Sequence, residues 1–278
     1  MRPPRQQSGI ALTIVLWVIT LLSVVATNFA YSMRTETNIT RNNMERTRAR
    51  HLAEAGVRAA VWALSHPDAE ARWRSDGHSR RLAIGGGVVE VSVRREAGLI
   101  DLNKASPAII EGLLQVFEVD PDRRDQLVNA IQDWRDKDDL RRVNGAEDRE
   151  YIAAGRGQGA KDAPFDAVSE LQTVLGMTPE LFRKLEPFLT VHAGSARIDT
   201  GAAPLEVLLA QPGIDAAGAQ TLLAQRDGAA ARTAAGGVVR ITARAAGPGG
   251  SGFSLRAVVR IKPGRQIGVS VLEWAERA

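Results

Sequence analysis

The chain has 278 residues, of which 44% are hydrophobic and 24% are charged, so it is long enough for one large or two modest folded domains and is not disordered. It contains no cysteine, which excludes a disulfide framework, a thiolate metal site and a cysteine nucleophile. A net charge of +4 is compatible with an anionic partner, but residues 118–150 hold eleven acidic and seven basic side chains, so the basic excess lies elsewhere.

An uncharged apolar run from Gly9 to Tyr31 follows a short basic N-terminal segment. The 22 residues from Ile10 onward rise roughly 33 Å as an α-helix, which is enough to cross a hydrocarbon core about 30 Å thick. This length predicts a membrane-spanning helix. A cleaved secretory signal is the alternative, with small residues at positions 24–26, although the run exceeds the roughly 7–15 apolar residues of an ordinary signal.

The charges on either side of the apolar run do not settle its orientation. Two arginines precede it, whereas five follow it within twenty residues. The positive-inside rule would therefore keep the C-terminal part inside, but long domains can be translocated regardless of flanking charge.

Residues 34–64 are rich in helix formers and extend the same helix. Apolar and small residues recur at three- and four-residue spacing: Leu52, Ala55, Ala59, Ala60 and Ala63. The two parts together predict a rod of about 55 residues, roughly 80 Å long, that ends before Pro67. Its alanine-rich stripe requires a surface to pack against.

Strands are predicted on both sides of a long central region. Residues 88–95 alternate between apolar and polar side chains after a polar turn region. Near the C-terminus, β-branched runs at 238–243, 253–261 and 267–274 are separated by glycine- and proline-rich segments, which predicts an antiparallel meander. One apolar face of this sheet would cover the alanine-rich stripe.

The central region, residues 101–227, is predicted to be an all-α insertion. A proline stands at the first position of four predicted helices, where its missing N–H costs nothing: Pro107, Pro121, Pro179 and Pro204. A weak internal repeat relates Ile100-Asp101 to Ile198-Asp199, each followed by two short helices.

The second copy of the repeat resembles a helix-hairpin-helix module. In DNA-binding members of that class, glycine N–H groups in the turn contact a phosphate. Here Asp215 follows Gly213-Ile214 and would repel a phosphate. The sequence therefore favours a packing hairpin and predicts no nucleic-acid partner; a membrane-anchored DNA receptor is the alternative function.

Oxygen-bearing side chains are concentrated around a predicted turn: Asp136, Asp138, Asp139, Asn144, Glu147 and Asp148. Hard cations such as calcium bind six to eight oxygens, although the spacing here is not that of an EF-hand loop. A solvated helix end whose acids pair with nearby arginines is the alternative. No nucleophile, oxyanion donor loop or phosphate cradle accompanies the carboxylates, so we predict that the protein is not an enzyme.

These features together resemble the minor pseudopilin K family of type II secretion systems: Gly9 before a long apolar helix, an insertion containing DWRDKDDLRRVNGAEDREY and a terminal β meander. The resemblance covers essentially the whole chain and is most specific over residues 133–151. It implies an α+β fold in which a pilin-like long N-terminal helix packs on a small antiparallel sheet, with a large all-α insertion. The implied segments are a prepilin leader at 1–9, a transmembrane helix at 10–31, a periplasmic helix and first strand at 32–100, the insertion at 101–227 and the β meander at 228–278.

The resemblance also implies a location and a role. The protein would cross the bacterial inner membrane once, with its C-terminal domain in the periplasm, after a prepilin peptidase cuts between Gly9 and Ile10 and the new N-terminus is methylated. Its partners would be minor pseudopilins of the I and J types, the major pseudopilin and membrane lipid. It would cap the pseudopilus tip, nucleate assembly and support protein export across the outer membrane. Calcium would bind in the acidic segment.

Ile14 would be the fifth residue of the processed chain, where most pilin-like proteins have a glutamate that neutralises the N-terminal ammonium of a neighbouring subunit. A carboxylate in lipid is costly unless it is paired. Isoleucine therefore suits a subunit with no neighbour above it. The chain departs from the family pattern at Lys137, where proline is frequent, and at residues 201–203, where any metal ligand from that turn is in doubt.

We expect cleavage between Gly9 and Ile10, because a glycine after a short basic leader directly precedes the apolar helix. N-terminal sequencing or the intact mass of the membrane-bound protein measures the cleavage position. A mature chain that begins at Thr27 would instead identify an ordinary signal peptide and remove the anchor.

Overall fold

The computed structural model describes residues 8–66, 68, 71–228, 236–246, 252–262 and 268–277. Residues 1–7 of the predicted leader and Ile267 of the predicted last strand lie outside them. The helices are α1 (Ser8–Leu64), α2 (Pro107–Val116), α3 (Pro121–Arg135), α4 (Asp148–Ala153), α5 (Pro179–Leu185), α6 (Leu205–Leu209) and α7 (Ala216–Gly228). The strands are β1 (Asp76–Ile84), β2 (Gly87–Arg95), β3 (Ile100–Asp101), β4 (Leu189–Thr190), β5 (Gly237–Ala246), β6 (Gly252–Lys262) and β7 (Gly268–Arg277).

Helix α1 is the predicted rod: it is 57 residues long and ends at Leu64. Residues 11–44 are exposed, so the rest of the described chain does not cover the apolar half. Among the described residues, α1 is the one helix that is long and apolar enough to cross a membrane. The α+β fold expected from the sequence is confirmed, with this helix packed on an antiparallel sheet through its C-terminal half.

Small residues bring the C-terminal half of α1 close to the sheet. The buried face consists of Ala49, Ala53, Val57, Ala60 and Leu64. A Cβ at Gly56 would lie 2.9 Å from Val91 Cγ2, so only glycine permits this approach. The predicted stripe was partly right: Ala60 and Ala63 are buried and Leu52 packs against this face. Ala55 and Ala59 are only half-buried, because the helix turns Ala53, Gly56 and Val57 toward the sheet instead.

The main sheet has five antiparallel strands in the order β1-β2-β5-β6-β7. Its central strands present alternate apolar residues to α1; Val91 lies opposite Ala243, which lies opposite Leu255. Because β2 and β5 are neighbours in space and about 140 residues apart in sequence, everything between them is inserted at one junction of the sheet.

The polar turn region expected before residue 88 contains a strand instead. Residues 76–84 form β1, which pairs with β2 at the edge of the sheet. An edge strand needs only one partner and tolerates charged side chains on exposed positions, as Arg81 shows here. Its weak apolar alternation, limited to the half-buried Leu82 and Ile84, explains why the sequence pattern did not identify it.

A buried ion pair connects the sheet to the insertion. Glu96 is fully buried just after β2, and its Oε1 accepts a hydrogen bond from Arg240 Nε of β5 at 2.7 Å. Arg240 Nη2 also donates to the Leu189 carbonyl at 2.8 Å, and Thr190 Oγ1 donates to Glu96 Oε2. Since β3 and β4 pair in parallel, the start of the insertion and a segment within it are held together at this point.

The insertion is helical, and the same pattern of an aspartate turn followed by two short helices occurs twice in it. Prolines occupy the first turn of α2, α3 and α5 as predicted, whereas Pro204 is the N-cap of the short helix α6. Asp101 and Asp199 each accept a hydrogen bond from the N–H two residues later, from Asn103 and Gly201, before a helix pair. Helices α2 and α6 of the two copies pack directly against one another.

We expect Gly112→Ala to destabilise the fold, because its Cβ would lie 2.2 Å from the Ala210 carbonyl oxygen where α2 crosses α6. In a helix, alanine is normally more stable than glycine by about 1 kcal/mol, whereas overpacking typically costs about 1–3 kcal/mol. A melting temperature below that of the wild type would therefore show that the clash outweighs the gain in helix stability. Gly157→Ala, which points into open space, is the control. Equal melting temperatures for the two variants would contradict this packing.

Candidate functional site

The acidic segment lies between two helices that aromatic packing holds in place. Trp134, at the end of α3, packs against Tyr151 of α4 and Phe165, with ring centroids 5.7 and 6.2 Å away. The Tyr151 hydroxyl accepts a hydrogen bond from Leu175 N–H at 3.1 Å. The loop of residues 136–147 is therefore fixed at both ends on the core of the insertion.

Asp133 is a fully buried carboxylate that shapes the loop. It accepts hydrogen bonds from Arg142 Nη1 at 2.7 Å and from the Arg142 backbone N–H at 3.3 Å. Arg142 Nη1 also donates to Asp136, and these two contacts raise the pKa of Arg142. A Cβ at Gly145 would lie 1.9 Å from Asp133 Oδ2, so glycine is required where the loop passes this carboxylate.

Glu147 is the most strongly perturbed group at the site. It is 5% exposed, and its Oε1 is buried without a hydrogen-bond partner among the described atoms. Burial raises its pKa to about 7, and repulsion from Asp133, Asp162 and Asp136 acts in the same direction. A buried carboxylate with an unsatisfied oxygen is destabilising unless a cation or a proton compensates it.

Asp162 joins the predicted cluster from the loop that follows α4. Its Oδ1 is buried and has no hydrogen-bond partner among the described atoms, and its backbone adopts φ 53°. Burial raises its pKa, followed by repulsion from Asp139, Asp148 and Asp136. The loop is held close because Asp148 Oδ1 accepts a hydrogen bond from Ala160 N–H at 3.1 Å.

The other predicted ligands differ in how deeply they are buried and in which groups they contact. Asp136 is half-buried and has one buried oxygen, Oδ1, without a partner among the described atoms. Asp138 and Asp139 are exposed, and Asp138 Oδ1 accepts a hydrogen bond from Leu140 N–H. Asn144 turns its amide toward α3, where Nδ2 donates to Asp125 Oδ2 at 2.7 Å.

The residues present fit a hard cation by their chemistry. Three carboxylate oxygens, on Asp136, Glu147 and Asp162, are buried without hydrogen-bond partners among the described atoms. Burial, followed by repulsion from neighbouring carboxylates, raises the pKa of Glu147 and of Asp162. Carboxylate oxygens are the ligands that calcium prefers. Within the described part of the chain, no three histidine, aspartate or glutamate side chains are already arranged to hold a metal ion, so binding requires side-chain movement.

The predicted helix-hairpin-helix turn leaves little room for a phosphate. Helices α6 and α7 pack together across the turn, where Gly213 has φ 84°. The Asp215 carboxylate accepts a hydrogen bond from Gly218 N–H at 2.7 Å. A phosphate at the start of α7 would need this N–H. The Asp215 carboxylate already accepts its hydrogen bond, and its negative charge would repel the phosphate.

The anchor helix carries the other predicted functional position. Ile14 lies on α1 with 57% of its surface exposed, among apolar residues that the described chain leaves uncovered. Gly9 and Ile10 lie in the first turns of the same helix.

Comparison with known proteins points to one family. The family model described as Type II secretion system (T2SS), protein K matches residues 92–194. Over 209 residues the chain is 29% identical to type II secretion system protein K of Klebsiella pneumoniae, an alignment that covers 68% of this chain and 64% of the relative. The corresponding protein of Dickeya chrysanthemi is 24% identical over 283 residues, covering 80% and 78%.

A solved structure shares the fold. A chain in the crystal structure of the GspK-GspI-GspJ complex from the type 2 secretion system of enterotoxigenic Escherichia coli superimposes with a TM-score of 0.60. It is 17% identical, and the match covers 86% of this chain and 99% of that chain. These findings confirm the resemblance drawn from the long helix, the acidic motif and the terminal sheet.

We expect calcium to raise the melting temperature of the full chain in detergent, and chelation to lower it, because an ion that binds only the folded state stabilises it by mass action. Asp162→Asn should raise the melting temperature without calcium, since it removes one of the crowded carboxylates, and should also shrink the response to calcium. Asp138→Ala should shrink the response as well.

Glu180→Gln is the matched control, because Glu180 is exposed and pairs with Arg183 outside this cluster. It should leave the calcium response unchanged. Identical melting curves with calcium and with chelator would refute the metal site.

Proposed function

Because the chain resembles the type II secretion system protein K family in sequence and in fold, we propose that it is a minor pseudopilin at the tip of a type II secretion pseudopilus. The observation that carries the proposal is the family match over residues 92–194, which includes the acidic segment and both strands of the small β3-β4 sheet. In this role the protein nucleates pseudopilus assembly and supports protein export across the outer membrane; it performs no catalysis.

In this proposal α1 crosses the bacterial inner membrane once, and the globular part lies in the periplasm. The support is the length and apolar composition of the helix. Prepilin peptidase cuts after Gly9, and Ile10 becomes the methylated N-terminus. The exposed apolar surface of residues 11–33 then faces lipid before assembly and the helices of neighbouring subunits after it.

The tip position rests on Ile14 and on the size of the insertion. A glutamate at the fifth mature position would pair with the N-terminal ammonium of the subunit above. Isoleucine has no charge to pair, so it is compatible with the absence of such a neighbour. The insertion of residues 101–227 adds a large volume beside the sheet. If the protein repeated along a closely packed shaft, the shaft would have to make room for this volume at every subunit.

The partners are minor pseudopilins of the I and J types, with the major pseudopilin below them. Support comes from the solved neighbour, which is part of a complex with GspI and GspJ. The part of α1 that follows the apolar run is available to helices of these partners, because residues 34–44 are exposed.

Calcium, in this proposal, holds the loop between α3 and α4 against the loop that carries Asp162. The ligands come from Asp136, Glu147 and Asp162, with the exposed Asp138, Asp139 and Asp148 close by in the same loops. The bound ion would compensate the repulsion among these carboxylates and so order the surface that the insertion presents at the tip.

We expect Ile14→Glu and Val18→Glu to impair assembly of the pseudopilus to a similar extent. Each places a carboxylate in the apolar helix, which costs about 2.5–3.5 kcal/mol at mid-membrane on insertion scales, and at the tip neither finds an ammonium partner. Val18 is the matched control because it lies one turn further along α1 and is similarly exposed. Better assembly with Ile14→Glu than with Val18→Glu would indicate a neighbour above and contradict the tip position.

Crosslinking locates the protein directly. Wild-type protein should crosslink to I- and J-type minor pseudopilins and be detected at one end of short pili, whereas the major pseudopilin is detected along their length. Salt-dependent DNA binding by the purified chain, without capture of minor pseudopilins, would favour the DNA-receptor alternative instead.

A further inference from the structure

A cluster of arginines lies on the face of the sheet that points away from α1. Four guanidinium groups, with three hydroxyl side chains between them, line a cavity of about 230 Å³: Arg94, Arg240, Arg244, Arg256, Ser92, Thr242 and Ser254. The insertion closes the opposite side with Pro187, Phe188 and Pro204. The cavity therefore lies at the contact between the sheet and the insertion, remote in sequence from the acidic segment.

The strand register concentrates these positive charges. Arg94 of β2 lies directly opposite Arg240 of β5, and Thr242 lies between Ser92 and Arg256 on the flanking strands. Like charges that face one another across two strands destabilise a sheet. A negative charge near both side chains would offset this repulsion.

The carboxylates of the chain compensate only part of the cluster. Glu96 pairs with Arg240 and Glu186 pairs with Arg256, each at 2.7 Å. Within the described residues, neither Arg94 nor Arg244 forms an ion pair within 4.0 Å, although Glu90 of β2 lies opposite Arg244 in the strand register. Arg94 instead donates one long hydrogen bond, of 3.4 Å, to the Ala202 carbonyl.

Unsatisfied donors face this region. Arg256 is 8% exposed, and its Nε is buried without a hydrogen-bond partner among the described atoms. Burial lowers the pKa of Arg256 to about 10, and repulsion from Arg240 acts in the same direction. Burial also lowers the pKa of Arg94, followed by repulsion from Arg226 and Arg240. Glu206 and Asp76 attract Arg94 in part, but no ion pair forms with either among the described residues.

We propose that this cavity binds a small multivalent oxyanion, such as inorganic phosphate or sulfate, through Arg94, Arg244 and Arg256. Guanidinium groups form charge-assisted, bidentate hydrogen bonds with such anions, and the serine and threonine hydroxyls supply further donors. The anion would lie between residues of the sheet and residues of the insertion. It would therefore strengthen the attachment of the insertion to the sheet.

The test is isothermal titration of the full chain in a non-ionic detergent with phosphate and, separately, with sulfate. The buffer has constant ionic strength and contains neither calcium nor a chelator, since calcium precipitates phosphate and a chelator is itself a multivalent anion. Saturable binding of about one ion per chain, accompanied by a higher melting temperature, is the expected result. Absence of saturable binding would overturn the proposal.

Variants locate the site. Arg94→Gln should weaken binding by about tenfold or more, because a hydrogen bond to a charged group contributes about 1.5–3 kcal/mol. Arg260→Gln removes an equal charge from an exposed position of the same sheet, outside the cavity, and should bind as wild type does. Equal binding by the two variants would overturn the assignment of the ion to this cavity.

Two additional measurements address a variant that does not fold and the possibility that the ligand is a lipid. If Arg94→Gln does not fold, Arg244→Gln replaces it, because Arg244 is exposed at the cavity rim and its removal leaves the buried ion pairs intact. A titration with short-chain phosphatidylglycerol tests whether the phosphate of a lipid headgroup is the ligand. Binding of the lipid without binding of the free ion would overturn the proposal.

Discussion

Two opposite charges, on Glu96 and Arg240, lie buried where the chain leaves the sheet for the insertion and where it returns. Removing both from water is costly, and breaking such a pair leaves an uncompensated charge that typically costs about 3–5 kcal/mol. Thr190 and the Leu189 carbonyl satisfy the remaining hydrogen bonds of the pair. The position of the whole helical insertion relative to the sheet therefore depends on a contact made by residues that are 144 apart in sequence.

Two other parts of the globular domain hold an excess of one charge. On one side of the insertion, carboxylates are crowded together and Glu147 has a raised pKa. On the side that faces the sheet, guanidinium groups are crowded together and Arg94 has a lowered pKa. Both arrangements cost stability in the isolated chain, and both place buried polar atoms where a small ion of opposite charge would compensate them. The interior of the insertion between these regions is a separate apolar core.

The sequence predicts the features that depend on local rules. The length of α1, its end at Leu64 and the proline-initiated helices follow from periodicity and backbone geometry, and the structure has them. The centre of the buried face of α1 does not follow, because Gly56 and the valines of β2 meet only in the folded protein. Strand β1 escaped prediction because an edge strand needs little apolar alternation.

The acidic site was predictable to a similar extent. Carboxylates adjacent in sequence identified the loop between α3 and α4, but Asp162 is separated from Asp148 by a loop whose path depends on the Asp148 contact with Ala160. No spacing in the sequence predicts that Asp162 lies beside the carboxylates of the loop between α3 and α4. Likewise, the facing positions of Arg94 and Arg240 exist only through strand pairing, so the basic cavity has no signature in the linear sequence.

The close packing of α1 on the sheet has a mechanical consequence. A force applied along the axis of the rod reaches the globular part through the short side chains between Ala49 and Leu64, which contact β2, β5 and β6. This interface is loaded in shear over about four turns of helix, so many contacts share the load at once. The insertion branches from the sheet between β2 and β5, so it lies beside this path and not along it.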